Sequence, residues 1–428
     1  MKILHVIAGM RKAAGTSVFA GEVANELVAQ GHEVAIAVAD PKCEDCYKLD
    51  PRVKLIGFDD VVVGDYDVIH IHALWDPRLN KIAKQIHSPT PRIAPATQLA
   101  SLGGYPTSNS HSPKLVWSPH GMLTPWALKN KWWKKLLGLA LYQYWSLRNA
   151  DLIHVTAQSE VEDIKRLGLK NEIVIAPLGV RIKETNHHSP TPTHNSNSTA
   201  KTLLFVSRVQ RKKGLPNLLE AWARLPKDLT KDWTIRIVGP DQDNHTAELM
   251  AQCERLGISY ANKDGEFHSP TPTHNSHSMQ PQVAFVGPKY DADLDAEYSK
   301  ADLFVLPTHS ENFGSVVIEA LARSVPVICT KEAPWKELET HKCGWWIDDS
   351  VDALVQALKE ALPLHCTPTT LSHTSLVEMG KNGLELVKAK YDWRVVGKTL
   401  ADAYLSISQG CEKGRCSECA ELYDTCSP

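Results

Sequence analysis

Short apolar runs alternate with stretches of helical periodicity along almost the whole chain, and this alternation constrains the fold more than any other feature. The first half carries KILHVI, EVAIAV, VKLIG, DVIHIH, LVWS, DLIHV and EIVIA; the second repeats the theme with TLLFV, WTIRIV, QVAFV, DLFVL and VPVIC. Alternating strands and helices predict parallel sheets covered on both faces, and two such series predict two doubly wound α/β domains. A chain of 428 residues is long enough to bury two ordinary cores. The break between the series falls at RIKETNHHSPTPTHNSNSTAK, which is polar, rich in Pro, Ser and Thr, and without apolar period. The expected organisation is a first domain over 1–183, a linker over 184–200, a second domain over 201–390, a final helix over 391–408 and a cysteine-rich tail over 409–428.

The linker holds HSPTPTHNSNS, which recurs as HSPTPTHNSHS from His268, with a shorter copy, HSPTP, at His87 and a degenerate one over His365 to Ser375. The copies are irregularly spaced and fall between expected elements, so they read as dispensable loop insertions rather than a solenoid repeat or a metal site. Cys411, Cys416, Cys419 and Cys426 crowd the tail. Their spacing has one tight pair and no nearby histidine, which favours a disordered, reducible tail over a zinc knuckle. Cys253 and Cys329 sit in helix and strand patterns as small core residues. A net charge of −2 offers no basic excess for nucleic acid. MKILHVIAGMRK reads as a first strand and turn rather than a signal peptide. Nothing approaches the roughly 20 continuous apolar residues of a membrane span, and a cytoplasmic protein is expected. The segment from Lys129 to Trp145, KNKWWKKLLGLALYQYW, mixes lysine, tryptophan and leucine at near-helical spacing. It would either rest on an anionic membrane surface or pack against its own domain with its lysines solvated.

The richest local chemistry lies in HSENFGSVVIEAL, His309 to Leu321. A buried strand, DLFVL, runs into a turn containing Gly314 and then into good helix formers. Such a turn aims free backbone N–H groups and the positive end of a helix dipole at one spot, which suits an anion. Glu311 and Glu319 flank it, eight positions apart. Carboxylates beside an anion site are there to accept hydrogen bonds from hydroxyls, such as those of a ribose or a sugar.

Three other strand ends carry candidates. After the first strand, AGMRKAAGTSVFAGEVA places Gly15 and Thr16 at a turn into an amphipathic helix. VWSPHGM sets His120 directly after a strand, between Pro119 and Gly121. SRVQRKKG sets Arg208 after the first strand of the second series and Lys213 five positions on, two cations suited to charge developing on a diphosphate leaving group. The sequences at Asp241–Asp243 and Asp291–Asp293 have the DxD form of a metal-bound diphosphate site, but Asp291 and Asp293 read as helix-start acids, and no essential metal is expected.

Taken together and in this order, these motifs resemble the signature of retaining glycosyltransferases of family 4 over nearly the whole chain outside the inserts and tail. Ala14 stands where that family usually has a second glycine, and Ser207 where glycine is common. The resemblance implies the GT-B fold: two Rossmann-like doubly wound domains facing across a cleft, with a C-terminal helix crossing back to the first. It implies an acceptor-side N-terminal domain and a C-terminal domain that binds a nucleotide diphosphate sugar, a UDP- or GDP-sugar. Glu319 would hold the ribose hydroxyls. Glu311 and the backbone of Asn312, Phe313, Gly314 and Ser315 would engage the sugar and phosphates, Arg208 and Lys213 the diphosphate, and His120 the region of the transferred sugar, with Gly15 and Thr16 near the ligand. No cofactor and no protein base are implied if the departing phosphate takes the acceptor proton. The acceptor would be a saccharide or a lipid-linked one, as in polysaccharide or lipopolysaccharide synthesis. A sugar-nucleotide epimerase of the same shape and a non-catalytic nucleotide-sugar binding subunit are the competing readings.

Overall fold

All the strands expected from the apolar runs form; the central ones bury side chains on both faces of parallel sheets, while Lys54–Gly57 and Glu172–Ile175 at the edges are only partly buried. The structure, a computed structural model, describes residues 1–11, 15–41, 47–87, 112–129, 132–182, 200–269, 281–311, 313–365 and 375–409. The linker, most of each HSPTP copy, Asn312 and the cysteine-rich tail lie outside these. Two compact units are present: unit 1 is Met1–Leu178 together with the helix Trp393–Gln409, and unit 2 is Gly179–Asp392.

The sheet of unit 1 is built from β1 (Lys2–Val6), β2 (Glu33–Val38), β3 (Lys54–Gly57), β4 (Val68–His72), β5 (Lys114–Ser118), β6 (Leu152–Val155) and β7 (Glu172–Ile175). Its order is β3-β2-β1-β4-β5-β6-β7 and every pair is parallel. The winding reverses between β1 and β4, and at such a point the loops leaving the carboxyl ends diverge and open a crevice. One face is covered by the helices Gly15–Ala29 and Trp393–Gln409 through Phe19, Val23, Leu27, Trp393, Val396, Leu400 and Tyr404. The opposite core gathers Leu79, Ile82, Leu115, Trp117 and Ile153. The two helices touch closely enough that a Cβ on Gly397 would lie 2.6 Å from that of Glu26.

Unit 2 contains β8 (Lys201–Val206), β9 (Trp233–Val238), β10 (Tyr260–Ala261), β11 (Phe267–His268), β12 (Val283–Gly287), β13 (Leu303–Leu306), β14 (Val327–Thr330) and β15 (Gly344–Ile347). The order is β11-β10-β12-β9-β8-β13-β14-β15, parallel except for the short β10–β11 pair. Its reversal lies between β8 and β13. Sequence reading missed β10 and β11, which are too short to show a period, and β15, whose GWWI is only partly buried. Cys253 and Cys329 are buried free thiols, as their patterns suggest.

Leu400 is fully buried in the core of unit 1 although it follows unit 2 in the chain. Leu400→Ala should cost about 2–5 kcal/mol. Hydrogen exchange should show the loss of protection in β1, β2 and β4 while the strands of unit 2 stay protected.

Candidate functional site

In unit 2 the turns after β8 and β13 leave the sheet at its reversal point, and two close approaches fasten them together. Gly214 has φ +70° and sits so tightly against β13 that a Cβ would fall 1.7 Å from the Pro307 carbonyl oxygen, so no side chain fits there. The backbone N–H of His309 donates to the Lys212 carbonyl at 2.9 Å. On this frame the buried Lys213 ammonium donates to the Glu311 carboxylate. The two expected site residues therefore meet as an ion pair within unit 2. Arg208 stands on the same turn but not in this pair: its exposed guanidinium reaches Gln242 at 3.4 Å.

Gly314, with φ +78°, starts the helix Ser315–Leu321, which carries Glu319. Phe313 is buried against Trp335, whose indole N–H donates to the Phe313 carbonyl and pins the turn from below. The Tyr298 hydroxyl donates to Glu319 at 2.9 Å, and Arg323 spans Glu319 and Asp295: it donates to the Glu319 backbone carbonyl at 2.8 Å and pairs with the Asp295 carboxylate. Burial pushes the Glu319 carboxyl up, opposed by the Tyr298 hydrogen bond and Arg323. Tyr298 was missed because its sequence context reads only as helical and its partner lies on another helix. That helix, Asp291–Ser299, does begin with Asp291 and Asp293 in its first turn.

In unit 1 the loop after β1 is braced by Ser17, whose hydroxyl donates to the Gly9 carbonyl at 3.0 Å and accepts the Arg11 N–H at 3.1 Å. Gly15 opens the following helix exposed, and Thr16 is half-buried beside it. His120 follows β5 with φ +51°, a left-handed conformation uncommon for a residue with a Cβ and found at functional turns. The buried carboxylate of Glu160 holds that turn by accepting the Gly121 N–H at 2.7 Å and the Thr156 N–H at 3.1 Å. Phe19 packs edge-on against the His120 ring.

Sequence reading also missed a buried seam of imidazoles across the same face of the sheet. His5 on β1 lies opposite His70 on β4, and His72 lies opposite Ser118 on β5. His154 lies on β6. Burial pushes His5 and His120 down to about 3 and His154 to about 4, and holds His70 and His72 well below the usual imidazole range. A neutral imidazole has one N–H and one lone pair, so the hydrogen bonds fix the tautomers. His154 Nε2 faces the Ala176 carbonyl at 2.7 Å and must donate, so its Nδ1 accepts from the Ser118 hydroxyl at 2.6 Å. Ser118 then accepts from His70 Nε2, and His70 Nδ1 accepts from the Tyr404 hydroxyl.

His5, His70 and His72 offer nitrogen atoms within 4.8 Å of one another, the spacing of a loose metal site. Both nitrogens of His70 are committed to Tyr404 and Ser118, and both of His72 to His5 and His120. Of the nitrogens of these three rings, only His5 Nε2 has no partner among the described residues. Hydrogen bonding thus accounts for the cluster, and a metal would have to break it.

Over Trp132–Arg148 the chain is helical, with a π-helical segment at Leu139–Gln143. Trp132, Trp133, Leu136, Leu137, Leu141 and Trp145 are all exposed, Leu141 by 68%, whereas Gln143, Ser146 and Leu147 face the protein. No helix among the described residues is long and apolar enough to cross a membrane.

Residues 13–184 match the family model described as Glycosyltransferase Family 4, and residues 191–375 match Glycosyl transferases group 1. A D-inositol 3-phosphate glycosyltransferase of Corynebacterium urealyticum is 26% identical over 62% of this chain and 59% of its own length. The alpha-1,3/1,6-mannosyltransferase alg-2 of Neurospora crassa is 22% identical over 61% of this chain and 58% of its own. The chain thus spans less than two thirds of these curated relatives. Among solved structures, sucrose-phosphate synthase from Thermosynechococcus elongatus superposes with TM-score 0.61 at 18% identity, covering 96% of this chain and 100% of that one. Alr3699/HepE of Anabaena, in complex with UDP, gives 0.63 at 16%, covering 95% and 100%. At these identities the structural matches speak for the fold alone.

The buried imidazoles make a pH prediction for unit 1. Their folded pKa values lie below the unfolded value of about 6.5, so between the two the unfolded chain binds more protons and stability falls as pH falls. Each such group contributes up to about 1.4 kcal/mol per pH unit below that point. Urea midpoints for unit 1 should drop steeply from pH 7.5 to pH 5; a flat profile would contradict the neutral seam.

Proposed function

The chain belongs to the family 4, group 1 glycosyltransferases of GT-B fold, and from that membership we propose that it transfers a sugar from a nucleotide diphosphate sugar, with retention at the anomeric carbon, to a saccharide or lipid-linked acceptor. The observation that carries this reading is the paired turn of unit 2. There Lys213, Glu311 and Glu319 are held at the carboxyl ends of β8 and β13, where open α/β sheets take their ligands.

In this reading the ribose hydroxyls of the donor compete with Tyr298 for Glu319, which has acceptor capacity beyond that one hydrogen bond. Lys213 keeps one donor on Glu311 and offers its others to the diphosphate. Arg208, exposed and only weakly engaged, closes on the same phosphates as charge develops on the leaving group. The backbone of the turn through Phe313, Gly314 and Ser315, together with Asn312, receives the phosphates and sugar. His120 serves the transferred sugar, and Gly15 and Thr16 serve the ligand beside the braced loop after β1. The departing phosphate oxygen takes the acceptor proton, so the reaction draws on no protein base, and with Lys213 and Arg208 meeting the diphosphate charge this reading calls on no metal or cofactor. The exposed Trp132–Trp145 surface, with Lys129, Lys134 and Lys135 nearby, is assigned to an anionic bilayer, which would bring the enzyme to a lipid-linked acceptor of polysaccharide or lipopolysaccharide synthesis.

Nucleotide release measured across a panel of UDP-, GDP- and ADP-sugars with saccharide and lipid-linked acceptors tests the activity. Glu319→Ala is the informative variant, because Glu311→Ala would strand the buried Lys213 and cost about 3–5 kcal/mol of stability. Acceptor-dependent release should fall at least about a hundredfold in Glu319→Ala, and the new glycosidic bond should keep the donor's anomeric configuration by NMR. A donor converted without a new bond would instead indicate an epimerase, and tight binding without turnover a binding subunit.

Co-sedimentation with phosphatidylglycerol-containing vesicles tests the surface assignment. Wild type should sediment more weakly as salt rises, and Trp132→Ser combined with Leu136→Ser and Leu141→Ser should abolish it. Equal sedimentation of the triple variant would remove the assignment.

A further inference from the structure

His120 is the outer end of a three-ring chain. His5 Nδ1 lies 2.8 Å from His72 Nε2, and His72 Nδ1 lies 3.0 Å from His120 Nε2, with successive rings stacked at 21° and 22°. Both hydrogen bonds need one N–H and one lone pair, and His72 is neutral, so it donates at one end and accepts at the other. The three tautomers are therefore coupled, and only two arrangements exist. In the first, His5 Nδ1–H donates to His72 and His72 Nδ1–H donates to His120, leaving an N–H on the outer Nδ1 of His120 and a lone pair on His5 Nε2. In the second every bond is reversed, leaving a lone pair on His120 Nδ1 and an N–H on His5 Nε2.

The inner end decides between them. His5 is fully buried, and its Nε2 has no protein partner among the described residues. A buried N–H without an acceptor is rarer and costlier than an unfilled acceptor site. The first arrangement avoids that orphan donor. The outer Nδ1 of His120 has no hydrogen-bond partner among the described residues, and His120 is only partly buried where His5 is fully so. The titratable groups packed around the chain are the imidazoles of His70 and His154, which disfavour further charge, and Tyr404 is tied to His70.

We propose that His5 and His72 are positioning residues that hold His120 in the Nδ1–H tautomer, so that His120 presents a fixed hydrogen-bond donor to an oxygen of the bound donor sugar. The placement of the chain is a property of unit 1; its use on a sugar rests on the glycosyltransferase reading above. The device gives His120 a donor without giving it a positive charge, and it sets that donor from a residue two rings away that touches no ligand.

Long-range proton–nitrogen correlation spectra of the full-length protein labelled with 15N-histidine report which nitrogen carries the proton. In wild type at pH 7, His120 should be neutral and protonated at Nδ1. In His5→Met the inner partner can accept but not donate, so His72 Nε2 should carry the proton, the chain should reverse, and His120 should shift to the Nε2–H form or to a mixture. With whichever member of the UDP-, GDP- and ADP-sugar panel is turned over, kcat should then fall about tenfold or more while the donor KM stays within about twofold. A purely structural role for His5 would lower the folded fraction but leave the tautomer of the folded molecules unchanged. An Nε2–H tautomer in wild type, or an Nδ1–H tautomer that persists in His5→Met, would overturn the proposal. Should His5→Met fail to fold, the wild-type spectrum still decides the polarity. An Nδ1–H chain in a protein that turns over none of the panel would keep the assignment of the relay and refute its use in transfer.

Discussion

A parallel sheet can be wound outward in both directions from one strand only if, somewhere, adjacent strands send their following loops to opposite sides. Both units of this protein obey that constraint, unit 1 between β1 and β4 and unit 2 between β8 and β13. The placement of the charged groups in unit 2 and of the ligand-side turns in unit 1 follows from it. Elsewhere the central strands bury mostly aliphatic and aromatic side chains, with the imidazoles of His5, His70, His72 and His154 set among them. At the reversal the backbone leaves the sheet with free N–H groups, and charged residues find room. Arg208, Lys213 and Glu311 on one sheet, and the turns bearing Gly15 and His120 on the other, all stand on strand ends at or beside these points.

The two units use opposite electrostatic strategies within the same geometry. Unit 2 buries a full charge, Lys213, and compensates it with Glu311, so its turn is held by an interaction whose two halves depend on each other. The imidazole seam of unit 1 excludes charge. Its five imidazoles are crowded and desolvated so that each stays neutral, and neutrality is what turns a row of side chains into a directional chain of donors and acceptors. A Tyr hydroxyl at one end and a backbone carbonyl at the other fix the direction of the branch through His70 and His154.

Much of this was open to sequence reading, and what was missed has physical reasons. Strands and strand ends show in a local window because burial imposes a run of apolar residues there. The Glu311 to Glu319 turn shows because its carboxylates, glycine and helix start are neighbours in sequence. The pairing of Lys213 with Glu311 joins residues 98 positions apart, and the contact of Tyr298 with Glu319 joins two helices, so neither leaves a local trace. The histidines of KILHVI, DVIHIH and DLIHV each look like a lone polar residue in a strand; only the register that sets His5 beside His70 makes them a seam. Periodicity could not orient the Trp132 segment either, because the π-helical stretch at Leu139–Gln143 changes the number of residues per turn and moves the faces out of phase.

The helix Trp393–Gln409 completes the core of unit 1, although it is separated from the rest of that unit by the whole of unit 2. Unit 2 is continuous in sequence, and its two ends are tied together where the Val180 N–H donates to the Tyr391 carbonyl at 2.8 Å. During synthesis, then, the order of maturation is the reverse of the order of translation. Unit 2 can be complete as soon as its last strand and helices leave the ribosome, while the first-made sheet must wait, one apolar face only partly covered by Gly15–Ala29, for the helix Trp393–Gln409 to emerge. The interval in which nascent chains are most exposed to aggregation, and to chaperones, is thus set by the length of the second unit rather than by the first.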